Sequence, residues 1–230
     1  MLDSLHLDAA SCESLYDFGM GTGKLALQAW LQFRNLKKVV GVELALSRYV
    51  IGEQALLSLV EAKPESLEVV SRKADSYIII RDKNASSERT LSFYRGDIFE
   101  FPNVENADIA ILQTNFPEET HLKLSDFLMR LKTDCRLLTY LNLGSLYKGA
   151  SHIFDQMEVN RSMKDRFPTS WSIHRGCHFF LWIKQGKEFW EGYDGLTVIE
   201  DDEDGRGIIG CLPSFFRCFG NTTSRVHHRG

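Results

Sequence analysis

The chain has 230 residues, a net charge of −4, 43% hydrophobic and 25% charged residues, ordinary figures for one α/β domain with a core of its own, or one domain and an appendage. The acidic balance excludes wholesale electrostatic attraction to nucleic acid, which would need a local basic patch. Five cysteines (Cys12, Cys135, Cys177, Cys211, Cys218), odd in number and without a CxxC pair, argue against a disulfide framework and a zinc site.

In chain order, LYDF (15–18) reads as a short buried strand, followed by a glycine turn and the helical KLALQAWLQF (24–33). KKVVGVEL (37–44) is strand-like, and SRYVIGEQALLSLVEA (47–62) has helical spacing with a stop at Pro64. SYIIIRD (76–82) and LSFYRGD (91–97), joined by a polar stretch, read as a hairpin region at about 76–97. ADIAILQTN (107–115) is a further strand, 118–132 an amphipathic helix, CRLLTYLNL (135–143) a fifth core strand and 147–158 a helix. TSWSI (169–173) and HFFLWIK (178–184), separated by HRGC, read as a closing hairpin. Alternating strands and helices of this kind build an α/β, Rossmann-like, doubly wound sheet. The folded domain is expected at 1–185, with 186–230 a loosely ordered tail that is acidic at 200–204 and then carries cysteines and phenylalanines.

The sequence DFGMGTGK (17–24) matches no phosphate-binding loop, because Phe18 and Leu25 stand where a glycine and a hydroxyl are required. The dinucleotide fingerprint also misses, since Gly19, Gly21 and Gly23 are one residue short of it. Asp17, just before the first glycine, would repel a pyrophosphate and attract a cation. S-adenosyl-L-methionine, which has no phosphates and carries a sulfonium and an ammonium, fits this turn better. The D-x-G-x-G-x-G turn resembles the first motif of class I methyltransferases. In that layout Glu43 would accept the ribose hydroxyls, Asp97 the adenine amino group, and Ile98 and Phe99 would offer apolar surface to the ring.

A closer resemblance is carried by Gln28 in the helix after the turn, by GVE (41–43), by GD (96–97), by Asn115-Phe116 and by Ser170-Trp171. This set is similar to the Dot-one (disruptor of telomeric silencing) histone lysine methyltransferases, over roughly 15–184. The resemblance implies a seven-stranded sheet with a reversed last strand. It implies a cofactor site of Asp17, Gly19, Gly21, Gly23, Gln28, Glu43, Asp97, Ile98 and Asn115. It also implies a methyl-transfer channel bordered by Asn115, Phe116 and Trp171, and no metal. A lysine must be neutral to accept the methyl group, and only about one in a few thousand is neutral at pH 7; a narrow apolar channel would favour that form.

The departures are Leu44 and Pro117 at two motif positions, His174, Arg175, Cys177 and His178 in the closing segment, and only sixteen residues before Asp17. The expected partner is a protein substrate, a histone or nucleosome among the candidates, with no sequence-specific nucleic-acid binding, no membrane, and a monomeric chain in the nucleus or cytoplasm. Two alternatives stay open: a methyltransferase for another protein or a small molecule, and a non-catalytic interaction module of the same fold.

Overall fold

The computed structural model describes residues 2, 6–157, 178–186 and 195–199, together with the backbone strands at 167–169 and 172–177. Strand β1 (Ser14–Phe18) is buried throughout and leads through the glycine turn into helix α1 (Lys24–Gln32). Strand β2 (Lys38–Glu43) follows, then α2 (Leu46–Ala62). The chain then makes three strands, β3 (Leu67–Lys73), β4 (Tyr77–Asp82) and β5 (Thr90–Arg95). Strand β6 (Ile109–Leu112) leads to α3 (His121–Arg130) and β7 (Arg136–Thr139).

Strands β5, β2, β1, β6 and β7 lie side by side and parallel, in that order. Runs such as VVGV and IAIL suit such strands, because a parallel sheet is covered on both faces and needs no polar alternation. Leu15 faces a core shared with Trp30, Val39, Tyr49, Leu56 and Phe93, while its neighbour Tyr16 faces the opposite core with Val40, Leu112, Phe127 and Trp182. At the N-terminal ends of the strands, the Asp108 carboxylate accepts from the backbone N–H groups of Glu13 (2.8 Å) and Ser14 (2.7 Å), which fixes the start of β1 beside β6.

After β7 the chain makes a short helix α4 (Leu143–Leu146), β8 (Tyr147–Lys148), one turn of helix α5 (Ala150–Ile153) and β9 (Phe154–Met157). Next come β10 (Phe167–Thr169), β11 (Ser172–Cys177) and β12 (Phe180–Lys184), and last β13 (Thr197–Val198). Strand β12 runs antiparallel to β7 and carries β9 on its far side. The seven core strands therefore run β5-β2-β1-β6-β7-β12-β9, with β12 reversed, and β4 and β3 extend the β5 edge to nine. This is the Rossmann-like sheet with a reversed strand expected from the sequence.

The hairpin expected at about 76–97 forms from β4 and β5, and LEVVSRK (67–73) adds β3 antiparallel to β4, making a three-stranded meander. Two local expectations are corrected. The helix expected at 147–158 is broken at Gly149, whose φ of +82° is left-handed, and its second half is edge strand β9. The closing hairpin does not form between the two expected runs. HRGC, read as its turn, lies within β11, which pairs with β10, while β12 takes β9 as its partner.

Leu196 is buried, its carbonyl accepts from Ser125 Oγ (3.1 Å), and β13 pairs with β8, so 195–199 packs on the fold. Residues 200–230 lie outside the described residues.

Candidate functional site

Strands β1, β2 and β5 run to one side from the chain's start, and β6 and β7 lie on the other side of β1. The order reverses between β1 and β6, and in open α/β sheets the crevice beyond the strand carboxyl ends at such a point is where ligands bind. The glycine turn lies there. Gly19 and Met20 donate their N–H groups to Val42 O at 2.8 and 3.0 Å, which folds the turn over the end of β2. Gly19, Gly21 and Gly23 have φ of +81°, +60° and +76°, the left-handed region where a side chain strains the backbone. A Cβ at Gly23 would also stand 2.4 Å from Phe93 Cζ, so this glycine lets the start of α1 close on β5. Nothing lies within 4 Å of a Cβ built at Gly21 or at Gly96, so the space above both is open.

Two carboxylates lie beneath the turn. Asp17 and Glu43 are 3% and 2% exposed. Burial, reinforced by the negative charge of Glu43, pushes the Asp17 carboxyl up to about 7, against a backbone hydrogen bond from Ala26 that pulls it down. Both oxygens of Glu43 accept from neighbours. Its Oε2 accepts from Gly21 N–H at 2.9 Å, and its Oε1 accepts from Ala45 N–H at 2.8 Å and from Arg48 Nη2 at 2.9 Å. The expected ribose acceptor is thus also the anchor of the glycine turn and of the first turn of α2.

The other expected residues are arranged less uniformly. Asp97 is half-buried, and its Oδ1 accepts from Phe99 N–H at 3.0 Å, capping the turn Ile98–Glu100. Ile98 is 8% exposed and belongs to the core on the α3 face, while the ring of Phe99 lies 5.6 Å from that of Phe116. That pair links the segment after β5 to the segment after β6. Thr114 Cβ is 3.3 Å from a Cβ built at Gly19, which brings the end of β6 against the turn. Asn115 is exposed one residue further on, and Gln28 is exposed on α1. Ser170 and Trp171 lie outside the described residues.

Sequence reasoning passed over the contribution of Arg48 to this site. The signal was available: a cation at the third position of α2 opposes the helix dipole, and so points to an anion close by.

A separate cavity of about 410 Å³ opens at the opposite, N-terminal ends of the strands, lined by Glu13, Asp108, Lys132 and Arg136 among others. Both of its cations are held in ion pairs. Lys132 pairs with Asp108, and Arg136 pairs with Asp8 at 3.3 Å and donates to Leu7 O at 2.8 Å. It reads as a clamp on the start of the sheet.

No protein-family model matches the chain, and no curated protein matches it. Among solved structures it is similar to a Haemophilus influenzae protein described as a candidate methylase, at 13% identity and a TM-score of 0.45, covering 78% of this chain and 84% of that one. It is similar to geranyl diphosphate methyltransferase in complex with SAM, at 15% identity and a TM-score of 0.38, covering 58% of this chain and 45% of that one. The cyclase SpnF is similar at 17% identity and a TM-score of 0.37, covering 58% of this chain and 42% of that one. The chain thus spans less than half the length of the last two, and likeness at these scores adds nothing to what the strand order already says of the fold.

Proposed function

We propose that the chain is an S-adenosyl-L-methionine-dependent methyltransferase whose donor site is the crevice above Asp17, Gly21 and Glu43. The observation that carries this reading is the pair of buried carboxylates under a three-glycine turn at the reversal of strand order. A floor of two acids repels phosphates and favours a cationic nucleoside. The open space over Gly21 and Gly96 is where such a ligand would lie. When bound, S-adenosylmethionine supplies an electrophilic methyl group on its sulfonium. The chain's own part is binding and alignment. Asp17 contributes negative charge beneath the cation, Glu43 accepts from the ribose hydroxyls, and Asp97 holds the segment that borders the adenine.

For the acceptor we propose a lysine amine of a protein, with histones and nucleosomes the first to try. Support comes from the Gln28, Asn115-Phe116 and Ser170-Trp171 motif run and from the exposure of Asn115 beside the turn. The Phe99–Phe116 pair gives that edge the apolar surface that favours a neutral amine. The setting proposed is nuclear or cytoplasmic, with a monomeric chain.

The test is methyl transfer from labelled S-adenosylmethionine to nucleosomes, free histones and a panel of small amines. Label in a histone lysine supports both parts of the proposal. Label in a small amine keeps the donor and replaces the acceptor. Absence of donor cross-linking on ultraviolet irradiation, with no transfer to any acceptor, overturns both.

A further inference from the structure

The Glu43 carboxylate has the donors it can hold on one oxygen and spare capacity on the other. An ionised carboxylate oxygen offers about two acceptor positions. Oε1 is filled by Ala45 N–H at 2.8 Å and Arg48 Nη2 at 2.9 Å, whereas Oε2 holds Gly21 N–H at 2.9 Å alone. A vicinal diol reaches both oxygens of one carboxylate, so one donor on Oε1 must leave. Ala45 N–H is main chain at the N-cap of α2, two residues from Glu43, and has no side-chain freedom with which to withdraw. Arg48 can, because its side chain is 59% exposed while that of Glu43 is 2% exposed. We infer that Arg48 is a gate on the ribose site: it occupies Glu43 in the empty protein, must be displaced by a nucleoside diol, and thereby weakens nucleoside binding.

The position of Arg48 makes the gate costly to open. It is the third residue of α2, where the positive end of the helix dipole disfavours a cation. Among the described residues, Glu43 is the acid that pairs with it. Leaving Glu43 therefore strands a guanidinium at the wrong end of a helix, and a bound diol must offset that.

This inference rests on the donor reading above, and the experiment separates the two. The full chain and Arg48→Met are titrated calorimetrically with S-adenosylhomocysteine and with adenosine, a neutral ligand that carries the diol without a charge. The expected result is adenosine binding about two- to tenfold tighter in R48M, the range that a partly exposed ion pair supports. If the wild type binds S-adenosylhomocysteine but R48M binds adenosine equally or more weakly, the gate is overturned and the donor site stands. If neither protein binds either ligand, the donor reading fails and the gate falls with it.

Discussion

Gly23 and Phe93 meet so closely that no side chain fits between them: a Cβ at Gly23 would stand 2.4 Å from Phe93 Cζ. The same ring lies 3.0 Å from a Cβ built at Gly41 and 3.3 Å from one at Gly52. Glycines on the turn, on β2 and on α2 thus close around one phenylalanine of β5. Gly23→Ala combines left-handed strain with overpacking and should cost about 2–4 kcal/mol of stability. Gly21→Ala is the control, since its backbone is equally left-handed but the space is open, and it should cost about 1 kcal/mol. Chemical denaturation of the two variants checks the difference. Equal losses would contradict the contact.

Asp17 is pushed up to about 7 by burial and by Glu43, while the unfolded chain releases this proton near pH 3.9. The folded state therefore holds the proton longer than the unfolded state. Its contribution to stability falls as pH rises from about 4 to about 7, at a slope approaching 1.4 kcal/mol per pH unit. Asp17→Asn should flatten that slope in thermal or denaturant melts taken across the window.

The same carboxyl makes donor binding proton-linked. A sulfonium favours the ionised form of Asp17, so S-adenosylmethionine should bind more tightly as pH rises towards 7, with a proton released on binding. Titrations in two buffers of different ionisation enthalpy measure that proton directly. Identical heats in both buffers would contradict the linkage.

Glu43 has a structural role besides its proposed ligand role. Glu43→Ala leaves Gly21 N–H, Ala45 N–H and Arg48 without their acceptor, and should cost about 1–3 kcal/mol of stability as well as abolish donor binding. Glu43→Gln keeps an acceptor for one amide and should fold more stably than the alanine variant, while still binding the donor poorly.

Asn115 is exposed, so Asn115→Ala should leave the melting temperature unchanged. Donor affinity should stay within about twofold, while methyl transfer slows by about tenfold or more through lost alignment. A variant with full transfer activity would contradict the placement of the acceptor beside the end of β6.

The parallel strands were legible in the sequence because each is a short run that is apolar on both faces, bounded by turn residues. Strand β3 was not, because it is the outer edge: Val69 and Val70 are exposed, and Arg72 faces Glu53 on α2 at 3.0 Å. Its residues therefore carry no burial pattern. Strand β9 was hidden for a different reason. Tyr147, Ala150, Ile153 and Phe154 have helical spacing, and only the left-handed backbone at Gly149 and the pairing with β12 divide that run. At the site, Asp17 and Glu43 could be singled out as acids at adjacent strand ends. That Glu43 is held by Gly21 could not, since it depends on how far the turn folds over β2.

The most direct test of the account is a calorimetric titration of the full chain with S-adenosylhomocysteine, run beside Glu43→Ala. Saturable one-to-one binding in the wild type, lost in the variant, is the predicted result. No saturable heat in the wild type, or binding that survives the loss of Glu43, would contradict the claim that this crevice holds an S-adenosyl ligand.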